Sequence, residues 1–116
     1  LIGIFTRLEM IQIRNAYASR VGSNFVTFIS LVNTGSSDTS IDTLLINGKL
    51  HTAWTTATPN VTLPMAAKVG VPVNFQITMT DPTTEAGGSR LVSGVTVTFS
   101  LHSTGGKEYS TSVTLP

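Results

Sequence analysis

The chain has 116 residues, a formal charge of +1, 11% charged residues and no cysteine. That length supports a single domain with its own core. The near-zero charge removes the electrostatic case for nucleic acid or an anionic membrane surface as partner. The missing cysteine excludes a disulfide scaffold, a thiolate metal site and a cysteine nucleophile.

Charged residues fall well short of the usual quarter of a chain, and 12 Ser and 19 Thr fill the gap. Threonine in such numbers suits strands, because a β-branched side chain fits a pleated, half-buried surface. The carboxylates are Glu9, Asp38, Asp42, Asp81, Glu85 and Glu108. Acid unfolding comes largely from native carboxylates that must be protonated. So few of them predict a fold that persists in an acidic exterior.

Taken in chain order, Leu1-Ile-Gly-Ile-Phe5 is apolar but far too short to cross a bilayer. It reads as the stump of an N-terminal membrane or filament helix. Glu9 to Ala18 reads as a first strand, with Ile11 and Ile13 separated by Gln12 and Ala16 and Ala18 flanking Tyr17 in a period of two. Leu1, Phe5 and Leu8 fall at helical spacing and make helix the competing reading from Leu1 to Ile11. Residues 19–24 read as a connection. Arg7, Arg14 and Arg20 read as solvated positions that blunt a sheet edge.

Phe25 to Val32 is nearly continuous apolar, as in a central strand buried on both faces, with Phe28 and Ile29 in the core. Asn33-Thr-Gly-Ser-Ser-Asp38 is turn chemistry. Ile41 to Ile46 is a short strand, and Asn47-Gly48 is the strongest short hairpin signal available, since a type I′ turn needs positive φ at both central residues. Lys49 to Thr55 then returns as its partner.

Residues 56–68 read as loop, with Pro59 and Pro64 denying a regular ladder. Pro72 to Thr80 sets Val73, Phe75, Ile77 and Met79 against Asn74, Gln76 and Thr78, one buried face and one solvated. Asp81 to Ser89 reads as a long loop. Leu91 to His102 is a strand, Thr104-Gly105-Gly106 turns it, and Tyr109 to Leu115 alternates as the last. Seven to eight strands with regular turn signals make an all-β, immunoglobulin-like antiparallel sandwich without the Cys-Trp-Cys spacing of antibody domains. Trp54 is assigned to core or rim packing.

No pattern carries catalysis. His51 and His102 sit on different segments with no metal-ligand spacing. Gly87-Gly88 and Gly105-Gly106 do not open a helix, so neither reads as a phosphate cradle. Asp81 and Glu85 lack the further oxygen ligands that calcium takes. The chain is therefore read as non-enzymatic, with no cofactor and no metal. Asn60-Val61-Thr62 is an N-glycosylation sequon in a proline-bounded loop. Ile41, Leu44 and Ile46 of the hairpin strand, with Thr83 and Thr84 of the long loop, are the candidate interface residues.

The opening strand Glu9 to Ile13, the run Phe25 to Asn33 leading into Thr34-Gly35-Ser36-Ser37, and Leu44-Leu-Ile-Asn47-Gly48 together resemble the extracytoplasmic domains of archaeal type IV pilin-like proteins. The likeness covers the first half of the chain. Within that superfamily the chain most resembles the archaellum accessory (stator) proteins FlaF and FlaG. The resemblance implies a membrane-anchored protein whose sandwich lies between membrane and S-layer. It also implies S-layer protein and other archaellum accessory proteins as partners, and a homodimer. A structural subunit of an archaeal pilus or archaellum filament carries the same signals. An adhesion or carbohydrate-binding module is the third reading; its usual sign is exposed aromatics, and only Trp54, Tyr17 and Tyr109 are available, which ranks it below the other two.

Overall fold

The structure is a computed structural model that describes residues 10–54, 56–80, 83–84, 88 and 90–116. It is an all-β, immunoglobulin-like sandwich of antiparallel sheets. The strands are β1 (Ile11–Val21), β2 (Asn24–Asn33), β3 (Thr39–Ile46), β4 (Lys49–Leu50), β5 (Ala57–Pro59), β6 (Met65–Ala67), β7 (Pro72–Thr80), β8 (Thr83–Thr84), β9 (Arg90–Leu91), β10 (Thr96–Ser103) and β11 (Glu108–Thr114). One sheet runs β1-β2-β7-β5, and the other runs β11-β10-β3-β4 with β6 also paired to β3. A small ribbon of β8 and β9 stands apart. The sheets approach each other along the β1 and β11 side.

Between the sheets lie Phe25, Ile29, Leu31, Phe75, Ile77 and Met79 from one side and Ile41, Leu44, Ile46, Val97, Phe99 and Leu101 from the other, all buried. The period of two in β7 and β10 puts these residues on one face of each strand. Asn47 and Gly48 adopt φ of 51° and 79°, both left-handed, so the hairpin they predict forms as a I′-type turn.

Several boundaries differ from the sequence reading. β1 runs on to Val21 because Gly22, at φ 62°, closes a two-residue turn and keeps Ser19 to Val21 paired with β2. The strand after Asn47-Gly48 stops at Leu50. The chain then makes one 3-10 turn over His51–Ala53, which brings Trp54 into the interior. The buried indole Nε1 donates to the Ile46 carbonyl at 3.2 Å, a better use of this segment than continued pairing at the edge.

The proline-bounded segment contains two short edge strands, β5 and β6. Pro59 is tolerated in β5 because an edge strand need not donate on its outer side. These pieces bring the strand number above the seven or eight expected. The strand predicted from Leu91 is split, because a turn in which Val95 N–H donates to the Val92 carbonyl separates β9 from β10. Residues 1–9, which include the apolar opening run, Glu9 and Arg7, lie outside the described residues.

Two side-chain arrangements knit the loops and faces. Asn33, fully buried, accepts at Oδ1 from the Met10 and Gly35 N–H groups at 3.3 and 2.9 Å. Its Nδ2 donates to the Ser37 and Ala67 carbonyls at 2.8 and 3.1 Å. On the outer face of the other sheet, hydroxyls pair across β10 and β11: Thr96 with Thr114, Thr98 with Ser112 and Ser100 with Ser110, at 3.2, 3.2 and 2.9 Å.

Candidate functional site

The sequence-predicted contact residues fall into two groups. Ile41, Leu44 and Ile46 have 0%, 1% and 0% exposure, so they are core residues and are corrected as interface candidates. β3 sends them inward, and the exposed side chain between them is Asp42. Thr83 is also fully buried, with Oγ1 accepting from the Thr56 N–H at 3.0 Å and donating to the Thr56 carbonyl at 2.9 Å. It ties the β8 ribbon to the strand region before β5 and presents nothing to a partner. Thr84 is exposed. Asp81, Glu85 and most of the loop around them lie outside the described residues.

Asn60 is exposed, as the sequon requires. It also has structural work: its N–H donates to the Gln76 carbonyl and its Oδ1 accepts from the Gln76 N–H, both at 2.9 Å. One residue thereby extends the pairing of β5 on β7 beyond the proline.

His51 Nδ1 approaches the Ala57 carbonyl at 3.4 Å, and His102 Nδ1 donates to Asp42 Oδ1 at 2.8 Å. The imidazole hydrogen bond from His102 holds the Asp42 carboxyl below its ordinary value, against a smaller opposing effect of desolvation. Among the described residues no group of three or more His, Asp or Glu side chains could hold a metal ion.

A concave feature lies on the outer face of the β1-β2-β7-β5 sheet. The register builds it in two rows. Tyr17 lies beside Phe28, Phe28 beside Gln76, and Gln76 beside Asn60. In the next row Asn15 lies beside Ser30 and Ser30 beside Asn74. A register shift between Ile13 and Asn15 sets the parity that sends Asn15 and Tyr17 outward while Ala16 and Ala18 face the core.

The two rows surround a hollow of about 340 Å³, whose lining is completed by the core residues Ile29 and Phe75. Tyr17 and Phe28 stack with centroids 4.9 Å apart and planes 20° from parallel. Tyr17 keeps 48% of its surface exposed. Among the described residues no lysine, arginine, aspartate or glutamate lines the hollow. Phe28, expected in the core beside Ile29, is half-buried on this outer face, whereas Ile29 is 1% exposed.

Neutrality extends past the hollow. Gln12, Val32 and Pro72 form the row on one side, and Ser19, Val26 and Thr78 the row on the other. Arg14 is exposed at the register shift. Arg20 is near the far end of β1, its guanidinium carbon 5.2 Å from the Phe25 ring centroid. The alternation of Asn74 and Gln76 against Phe75 and Ile77 announces a solvated face of β7. The aromatic pair is less visible, since Phe28 sits in an unbroken apolar run and Tyr17 gains its partner only through the β1-β2 register.

A scan against protein-family models and a search of curated proteins found no match for this chain.

Proposed function

We propose that this chain is the extracytoplasmic domain of an archaellum accessory (stator) protein, a non-enzymatic module that anchors the motility machinery to the cell envelope by binding S-layer protein. The reading draws on the pilin-like wording of the first half of the sequence. The observation that carries it is the outer face of the β1-β2-β7-β5 sheet, where register rows of uncharged side chains surround a hollow. Docking through such a face depends weakly on ionic strength, because there is little charge to screen. It also survives acidification, because among the described residues the rows around the hollow carry no group that titrates under mildly acidic conditions. Both properties suit an exposed lattice. Pairing of two copies belongs to the same proposal, since weak net charge leaves little repulsion between them.

Co-sedimentation of the domain with purified S-layer sheets, from about pH 3 to about pH 7, tests the reading. Saturable pelleting with sheets at every pH is the expected result. Pelleting of the domain alone would transfer the reading to a filament subunit. A soluble domain in both tubes would remove the anchor.

A further inference from the structure

We propose that the hollow between Tyr17 and Asn60 is a binding site for a pyranose ring of a neutral glycan. The inference rests on the reading of the chain as a cell-surface binding domain and adds the ligand class that the surface recognises.

The lining selects the ligand by what it contains. Asn15, Asn60, Asn74 and Gln76 carry carboxamides and Ser30 a hydroxyl. Each amide offers both a donor and an acceptor end, and a hydroxyl offers both at one atom. A sugar presents neighbouring hydroxyls that also donate and accept, so the two surfaces pair without a net charge on either. A phosphate, a carboxylate or an ammonium group finds no counter-charge in this lining.

The second half of the match is the aromatic step. Tyr17 and Phe28 lie stacked beside the polar side chains of the hollow, with Tyr17 half exposed. An aromatic face carries partial negative charge and a large apolar surface. The axial C–H groups on one side of a pyranose are its complement, while the ring's hydroxyls extend sideways toward the amides.

Size agrees. The hollow of about 340 Å³ is at the small end of ligand pockets. It is open to solvent and so suits one ring of a longer chain, held weakly and repeated along a surface.

The same ring can come from two sources. Asn60, which lines the hollow, begins the Asn60-Val61-Thr62 sequon, so a glycan could be carried on this chain. It could equally belong to a neighbouring molecule. Thr62→Ala removes the sequon and leaves the lining intact, which separates the two.

The test is amide-resolved NMR titration of the whole chain with methyl glucoside, methyl mannoside, N-acetylglucosamine and a neutral tetrasaccharide, with glucuronic acid as the charged comparison. We expect saturable shifts confined to the residues that line the hollow, Asn15, Tyr17, Phe28, Asn60, Asn74 and Gln76 foremost, for at least one neutral sugar, with Kd of about 1 mM. Tyr17→Ala should weaken that binding by about two- to tenfold, the worth of one aromatic contact, while Tyr17→Phe retains it. Tyr17 is exposed at the sheet surface, so neither variant empties the core.

The source is read from protein glycosylated in its own host. If wild type ignores added sugar while T62A binds it, the site is filled by the chain's own glycan. If both bind alike, the ligand belongs to another molecule. Either pattern supports the site. T62A that shows no saturable shift with any neutral sugar overturns the proposal, as do shifts elsewhere or binding unchanged in Y17A. Pelleting with S-layer sheets by a chain that binds no neutral sugar would remove the glycan site and leave the anchor. Sugar binding without pelleting would do the reverse.

Discussion

Asn33→Leu is predicted to be among the most damaging single substitutions in the described part of the chain. The Asn33 carboxamide joins four backbone groups: the Met10 and Gly35 N–H, and the Ser37 and Ala67 carbonyls. These belong to the start of β1, the turn after β2 and the end of β6. Leucine has similar volume but satisfies none of them. The contacts to Met10, Gly35 and Ser37 are only part-buried. Water can replace them, so each is worth about 0.5–1 kcal/mol. The Ala67 contact is buried, and leaving that carbonyl unpaired costs about 1–3 kcal/mol. The loss is therefore about 2.5–6 kcal/mol, a large share of the stability of a small domain. Urea unfolding followed by the fluorescence of Trp54, the sole tryptophan and 4% exposed, measures it directly. Asn33→Asp refines the test. It keeps acceptors for Met10 and Gly35 but turns an anionic oxygen toward the two carbonyls. Its carboxyl pKa is then raised in the folded state, so the variant should regain stability as pH falls. A loss below about 1 kcal/mol for N33L would refute the view that this amide fastens the turn to β1 and β6.

Thr27 is fully buried between Ala18 and Ile77 in the register, and its Oγ1 finds no hydrogen-bond partner among the described residues. Thr27→Val, nearly isosteric, should therefore raise stability by about 1 kcal/mol, and an unchanged or lower urea midpoint would count against it. Trp54→Phe removes the donor to the Ile46 carbonyl and part of a buried side chain. It should cost about 1–3 kcal/mol by thermal melts followed with circular dichroism. Asp42, with its carboxyl held below the ordinary value by His102, contributes stability that is present above the unfolded pKa and lost as pH falls through the lower folded one. Asp42→Asn should therefore lower the urea midpoint at about pH 5 and match wild type near about pH 2. A constant gap across that range would show that the carboxylate is not the cause.

Strand identities were legible where a period of two coincided with turn chemistry. Pro72 to Thr80 forms β7 with its predicted faces, and Asn47-Gly48 makes the predicted hairpin turn. Reading failed where a tertiary contact outweighed local pattern. Lys49 to Thr55 alternates plausibly as a strand, but burying Trp54 takes the chain out of the sheet at Leu50. The proline-bounded segment gave no strand signal because three-residue edge pairings lie below the length at which periodicity can be seen. The hollow was the hardest feature to foresee. Its residues are scattered along the chain from Asn15 to Gln76, and only a register with a one-residue shift in β1 places them on one face. The buried trio of Ile41, Leu44 and Ile46 makes the complementary point: apolar residues of a strand are poor interface candidates until its inward face is known.

The paired hydroxyls of β10 and β11 have a thermodynamic consequence for any surface laid against them. Thr96, Thr98 and Ser100 already satisfy Thr114, Ser112 and Ser110. A partner covering this strip need not supply a hydrogen bond for every oxygen it shields from water, which lowers the desolvation cost of contact. Serine and threonine also carry few rotatable bonds, so fixing them sacrifices little side-chain freedom compared with lysine or glutamate. The strip is thus pre-ordered by its own cross-strand bonds, and a broad, shallow contact there would retain more of its gross interaction energy than one made on long charged side chains.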